Sequence, residues 1–522
     1  MEAGRLPVLH RLVEGGLSGA FEPASAHPAA VWATMATGAH PLQHGIFTPE
    51  EVRPDGGGVQ PFGAGSWGAP PLWDVLARAG VPTLAVGAPG ASPATAWPGA
   101  VVDDRYALPP PPSAPDWPLP PRCVQPPRLR DALRPLRLHP AELHPPDCAG
   151  LHPAALAEAI TIQAAALHLM EAEPWRAAVV FHPLAARDGS DGALQFLDAA
   201  LGHLLGAAGP GALALVASPA GVLVACGPGI PPDSLRHGLG PADVAATALA
   251  WFGLSAPSGQ PLAPHGPLRV PPPPAAPAPL PPSPPTPPDA EAAMAAVRFA
   301  HAKARAAALS AEGDHAGAAG VLNPWLAQHP HDPALLLLLG QSRFFEGRWQ
   351  DCLPLGRALH GVAPDQPWGA MLEGAALCLS GDTAAGAPLL RAAAARAGQD
   401  PAVLSRLGAV ALHLRDADAA AAHYSAAVAL APADPAAHAG LALAHLLAGR
   451  WREGEAGLRA SLSHRFHAPA LHHQMALLLA SQGRWPEAQE AIANALSQNP
   501  ALPGAQELDG QIRDRAGAVG PP

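Results

Sequence analysis

His182 and Asp188 stand just after the apolar run Ala177–Phe181, in the segment HPLAARDGSD. An imidazole and a carboxylate at the end of a strand can share a proton or ligate a cation, so this pair is the first place to look for chemistry. Asp191 and Ser218 follow strand-like runs in the same way. A centre holding two divalent cations needs about six side-chain ligands, and this set is too thin. The 25 histidines are scattered, which suits hydrogen-bonded or surface groups better than a ligand set. Gly227-Pro228-Gly229 has the glycines of a phosphate loop but no Gly-Lys-Ser/Thr after it, and reads as a turn. The cysteines, Cys123, Cys148, Cys226, Cys352 and Cys378, show neither Cys-x-x-Cys spacing nor an even count. That is the pattern of buried free thiols in a reducing cytoplasm.

The elements that would position these groups alternate short apolar runs with helical patterns, which implies an α/β layered fold with a largely parallel sheet. Strands are predicted at Thr83–Val86, Ala177–Phe181, Ala212–Ala217 and Val222–Ala225. Helices are predicted at Pro71–Arg78, Ala154–Met170, Ala193–Leu205 and Ala242–Phe252, with Pro71 and Pro241 suited to a first turn.

Three stretches of this half resemble a known family: AGRLPVLHRLVEGGLSG, then HPAAVWATMATGAHPLQHGIF, then PPLWDVLARAGVPTLAVGAPGASPA. The motif W-x-T-x-x-T-G-x-x-P-x-x-H-G-I-F from Trp32 to Phe47 is similar to the type I phosphodiesterase/nucleotide pyrophosphatase branch of the alkaline phosphatase superfamily. Softer matches at FLDAALGHLLGAAGP, GVLVACGPGI and PADVAATALAWFGLSAPSGQPL carry the resemblance to residue 262. It implies a central sheet between helix layers and phosphoester hydrolysis on two divalent metals, usually zinc, with a Ser or Thr nucleophile.

Carried over residue by residue, most of that machinery is missing. The family's first-strand aspartate would precede AGRLP, and the nucleophile column falls on Pro28, or on His27 with a one-residue shift. The nearest hydroxyls are Ser25 and Thr34, the latter matching a structural threonine of the motif. The D-x-x-x-H metal pair would occupy 182–191, where HPLAARDGSD lacks that spacing, and ASPAG stands in place of the SDHG segment. The expectation is therefore a degenerate domain that binds no metal. The alternative is an active metal-dependent phosphoester or sulfoester hydrolase whose start is mis-assigned, with two divalent metals, zinc by resemblance.

The C-terminal half keeps strict time. Pro333, Pro367, Pro401, Pro435, Pro469 and Pro503 recur every 34 residues, the mark of a solenoid of helical hairpins. With each proline as position 1, position 8 reads Gly340, Gly374, Gly408, Ala442 and Ala476, small enough for two helices to cross closely. Position 15 reads Gly347, Gly381, Arg415, Gly449 and Gly483, the left-handed cap of a first helix. Position 20 is small throughout, and Pro364, Pro432 and Pro500 at position 32 open the turn to the next unit. These columns resemble tetratricopeptide repeats. With an earlier unit at 299–332 they predict six repeats and a closing helix near 503–516.

The groove of such repeats is lined by positions 2, 5, 9 and 12 of each first helix. They predict a partner-binding face of Leu337, Gln341, Phe344, Met371, Cys378, Ser405, Leu412, Leu443, Leu446, His473 and Leu477. It is mostly apolar and lacks the Lys/Arg/Asn set that would clamp a terminal carboxylate, so an extended or helical apolar segment of protein is the expected partner.

A net charge of −11 without a Lys/Arg cluster argues against nucleic acid. The apolar stretch Ala212–Cys226 is broken by Pro219 and is too short to span a membrane, and the first residues show no secretion signal. A cytoplasmic location is expected. The organisation read from sequence is α/β plus all-α: an alkaline-phosphatase-like layered sheet domain over 1–262, incomplete at its N-terminus, a proline-rich linker over 263–290, and a tetratricopeptide-repeat α-solenoid over 291–516. The expected function is a protein-interaction scaffold carrying a degenerate phosphodiesterase-like domain.

Overall fold

The computed structural model describes residues 5–21, 27–63, 65–91, 98–109, 117–143, 148, 151–187, 189–236, 239–263, 268–269, 290–311, 313–398, 400–464, 468–498 and 502–518. It divides into two compact units, Met1–Ala308 and Leu309–Pro522.

The strands of the first unit are β1 (Leu17–Ala20), β2 (Glu50–Val52), β3 (Val59–Pro61), β4 (Thr83–Ala88), β5 (Gly99–Asp103), β6 (Val124–Gln125), β7 (Ala177–Val180), β8 (Ala214–Ser218), β9 (Val222–Cys226) and β10 (Ser234–Leu235). One sheet has the order β6-β5-β4-β7, with β5 and β7 parallel to the central β4 and β6 antiparallel to β5. All six residues of β4 are buried, as a strand covered on both faces requires. The helix Pro153–Ala172 lays Ile162, Ala165 and Leu169 against Leu84 and Val86 on one face. Trp73 and Leu76 of the helix Leu72–Arg78, with Leu249 of the helix Ala242–Trp251, cover Ala85 and Val101 on the other. The helix Pro153–Ala172 is long and apolar enough to cross a membrane, yet 61% of it is buried inside the unit, as befits a core helix.

The largely parallel sheet expected from the sequence is present in the pairing of β5 and β7 with β4, but a second sheet, mainly antiparallel, stands beside it in the chain's first unit. The second has the order β10-β1-β9-β8, in which β9 runs antiparallel to both β1 and β8. The reason is local. Only Pro219, Ala220 and Gly221 separate β8 from β9, Gly221 at φ 101°, and so short a turn makes a hairpin, whereas a parallel crossover needs a dozen residues or more. A separate ribbon pairs β2 with β3.

Two carboxylates fasten the ends of this unit. Asp198, buried on the helix Asp191–Ala208, accepts from the backbone N–H groups of Val8 at 3.0 Å and Leu9 at 2.7 Å. It thereby caps the helix Pro7–Glu14, whose own N-cap Leu6 offers no acceptor. Asp243 accepts from Gly240 at 2.8 Å and Gln260 at 2.6 Å, tying the segment after the helix Ala242–Trp251 back to its start.

In the second unit, five helical hairpins step through the chain in the register of the prolines: Pro333–Phe345 with Trp349–Val362, Pro367–Leu379 with Thr383–Ala397, Pro401–His413 with Ala417–Leu430, Pro435–Leu447 with Trp451–His464, and Pro469–Ser481 with Trp485–Gln498. The helix His315–Gln328 precedes them and Ala505–Ala518 follows. Each proline opens a first helix, where a missing N–H costs nothing. Asp332, Asp400 and Asp434 supply the side-chain caps just before three of them. The position-8 column is a true crossing: a Cβ on Gly408 would lie 2.6 Å from the Tyr424 ring. At position 15 the glycines take φ of 70° to 100°, and Arg415 is held at the same left-handed φ, 59°.

Candidate functional site

In the first unit the catalytic candidates are placed but not brought together. Thr34 lies in the helix Pro28–Thr37, which opens on His27, whose Nδ1 accepts from the Ala29 N–H at 3.2 Å. The Thr34 hydroxyl is buried and donates to the Ala30 carbonyl at 3.0 Å. His44, fully buried, stands 3.1 Å from the same oxygen through Nε2, while its Nδ1 accepts from the Ile46 N–H at 3.1 Å. Because Nδ1 is an acceptor, Nε2 carries the proton and donates to Thr34. Every polar atom of the pair is spent on the fold. Burial, helped by the neighbouring His40, pushes the His44 imidazole down to about 4.

His182 follows β7 directly. Its Nε2 lies 3.1 Å from the Gln163 side-chain oxygen, and Gln163 donates in turn to the Ala200 carbonyl at 3.0 Å. That chain makes Nε2 the donor and leaves Nδ1 buried without a hydrogen-bond partner. Burial pushes its imidazole down to about 4. Ser25 and Asp188 lie outside the described residues. Among the described residues no group of three or more His, Cys, Asp or Glu side chains could hold a metal ion. A two-metal centre does not fit what is there: His44 has no free nitrogen, and the unpaired nitrogen of His182 would be a single ligand. The described cysteines are free, and all but the half-buried Cys226 are buried.

In the second unit the predicted groove residues differ in exposure. Leu477 is exposed at 46%, whereas Leu337, Gln341, Ser405, Leu412, Leu443, Leu446 and His473 are half-buried. Phe344, Met371 and Cys378 are buried, at 4%, 1% and 4%. Met371 belongs to the interhelix core, together with Leu336, Leu372 and Leu407. Phe344 also walls an open cavity of about 260 Å³ with Phe345, Trp349, Ala409 and His413. Its rings meet edge to face: Phe344 to Trp349 at 5.0 Å and Trp349 to His413 at 5.5 Å. His413 Nδ1 donates to the Ala409 carbonyl at 2.9 Å, leaving Nε2 as an acceptor when the ring is neutral.

Beside this cavity stands Arg406, which the sequence analysis did not single out. Its guanidinium lies over the Phe345 ring, 4.3 Å from the centroid, with His315 stacked on the same ring at 4.8 Å. Among the described residues it makes no ion pair or hydrogen bond, and its Nε is buried without a partner. Burial pulls it below the usual guanidinium value, against weaker opposing pulls from Tyr424 and Asp434. Glu346, which also lines the cavity, pairs through Oε2 with Arg343 at 2.9 Å and Arg348 at 3.6 Å, while its Oε1 is buried without a hydrogen-bond partner. Positions 6 and 13 of the first helix carry Arg406 and His413, just outside the 2, 5, 9, 12 stripe but on the same broad face.

Residues 1–136 match the type I phosphodiesterase / nucleotide pyrophosphatase family. No curated protein sequence matches the chain. The solved structures it resembles include the APC/C hetero-tetramer Cut9-Hcn1 (17% identity over 41% of this chain and 42% of that one, TM-score 0.34). A human IFIT1 dimer with PPP-AAAA is another (15% identity, 41% and 53% covered, TM-score 0.34). A third is a thermophilic TPR protein of Thermus thermophilus (21% identity, 41% and 97% covered, TM-score 0.27). The chain thus spans about half the length of the first two. The tetratricopeptide character of the second unit rests on its own hairpins and their 34-residue register.

Proposed function

We propose that this chain is a protein-interaction scaffold of the cytoplasm, in which the repeat groove takes a polypeptide and the phosphodiesterase-family unit serves as a folded, non-hydrolytic module. The observation that carries the first part is the groove of the second unit, where exposed Leu477 and the half-buried Leu443 and Leu446 leave apolar surface on first helices. The second part is supported by the commitment of Thr34, His44 and Gln163 to internal hydrogen bonds. Hydrolysis on two metals needs a free nucleophile and several ligands on one side of it. The competing reading, an active hydrolase, draws on the family match over residues 1–136 and would have to recruit groups such as Ser25 and Asp188.

The deciding experiment loads the full chain with zinc, dialyses it, and measures bound metal together with turnover of bis-p-nitrophenyl phosphate. The expected outcome is no stoichiometric zinc and no turnover above buffer. Near two zinc per chain with turnover would establish the hydrolase instead.

A further inference from the structure

An arginine held against apolar surface without a counter-ion is expensive, because the charge has left most of its water and gained no partner. Arg406 is in that position. Its guanidinium lies on Phe345, its Nε is buried without a hydrogen bond, Asp434 attracts it only weakly and without an ion pair, and Glu346 spends its Oε2 on Arg343 and Arg348. Glu346 keeps its two arginines, so among the described residues beside the aromatic cavity it is the Arg406 guanidinium that is left without an ion pair. Arg406, Ala409 and His413 fall on one stripe of the helix Pro401–His413, so the charge and the cavity face the same occupant.

We infer that this corner of the groove binds an acidic-apolar peptide segment: a side-chain carboxylate pairs with Arg406 while the neighbouring apolar side chain enters the cavity of about 260 Å³ between Phe344, Trp349 and His413. This deepens the scaffold reading and rests on it. A guanidinium matches a carboxylate in shape and charge, and an aromatic-walled pocket is where a buried anchor residue contributes most to affinity. A nucleic acid is disfavoured, since one arginine in a chain of net charge −11 cannot follow a run of phosphates.

The test uses the full chain and fluorescence anisotropy with three fluorescein-labelled probes: a ten-residue peptide with a Glu-Leu-Glu-Phe core, its Gln-Leu-Gln-Phe counterpart, and a ten-nucleotide oligouridylate. The acidic peptide should bind about tenfold more tightly than its glutamine counterpart, as one charge-assisted pair predicts. Arg406→Met should erase that difference, Arg406→Lys should restore part of it, and Ala409→Leu, which fills the cavity, should weaken both peptides. Since Arg406→Met removes an unpaired charge, its melting temperature should be unchanged or higher. A lower one would make Arg406 a structural residue and overturn the proposal. Equal binding of the two peptides, or Arg406-dependent binding of the oligouridylate in their place, would overturn it too. If Leu477→Glu abolishes peptide binding while Arg406→Met changes nothing, the groove reading stands and the Arg406 pairing falls. If neither peptide binds at up to about 1 mM, the pairing falls and the groove reading loses its support.

Discussion

Acid should loosen the first unit through two buried imidazoles, and His44 offers the cleanest measure. In the folded chain its pKa is pushed down to about 4, against 6.5 for the exposed group. Below pH 6.5 the unfolded chain binds a proton that the folded chain refuses, so stability is present above that pH and is lost as the pH falls toward 4. The full difference corresponds to about 3 kcal/mol, most of which is lost by pH 4.5. His182, also pushed down to about 4, acts over the same window and by a similar amount. Asp104 works the other way: burial and the neighbouring Asp103 push its carboxyl up to about 6, so acid relieves a charge held at a cost. That returns about 2 kcal/mol by pH 4.5 and leaves a net loss of about 3 kcal/mol.

His44→Gln isolates one of these contributions, because a glutamine can accept from the Ile46 N–H and donate to Thr34 without taking up a proton. Urea titrations of the full chain between pH 7.5 and 4.5, read by hydrogen exchange in peptides covering 27–47, keep the first unit's transition apart from that of the repeats. The variant should be somewhat less stable than the parent at pH 7.5, yet lose about 2 to 3 kcal/mol less on acidification. Identical pH dependence in the two proteins would refute the assignment of His44 as a buried neutral group.

Three further outcomes follow from the packing. Arg415→Gly should raise the stability of the repeats by about 0.5 to 1 kcal/mol, since it relieves a left-handed φ of 59° that the other repeats give to glycine; the urea midpoint reads it, and Arg415→Ala should gain nothing. Gly408→Ala should cost about 1 to 3 kcal/mol, because the new Cβ would meet the Tyr424 ring at 2.6 Å while Gly440 lies close against the same ring and blocks its retreat. Asp198→Ala should cost about 2 kcal/mol in the first unit, seen as faster hydrogen exchange at Val8 and Leu9, whose N–H groups lose the carboxylate that accepts from them.

What was legible in the sequence follows how often the same physical problem is posed. In the repeats, a proline that opens a helix, a small residue where two helices cross and a glycine that turns the chain recur every 34 residues, so each column checks the others. In the first unit each strand is posed once. β4 was readable because both of its faces are buried and its apolar run is unbroken, and β8 and β9 because their runs are nearly so. β6 and β10, at two residues each, carry no period to read. The hairpin between β8 and β9 was present in the spacing of its strands, although the sheet was read as largely parallel. The fates of Thr34 and His44 were not legible, because a motif shows which residues are present and not that their polar atoms are already spent on one another.

A repeat protein also carries its own control for what the fold does not require, since any residue that departs from its column must be explained by something other than the hairpin. Arg415 departs where four other repeats place glycine, and the departure shows as backbone strain at the end of a helix. Arg406 departs where the others place Leu338, Leu372, Gly440 and Gln474, and here the departure is an unpaired charge against aromatic rings. A strained turn can persist because it is cheap, at about 1 kcal/mol. A desolvated, unpaired guanidinium costs more than that, and a methionine of similar length would fill the same space without the charge. The physical difference between the two departures is what singles out Arg406, and not Arg415, for the proposed pairing with an acidic segment.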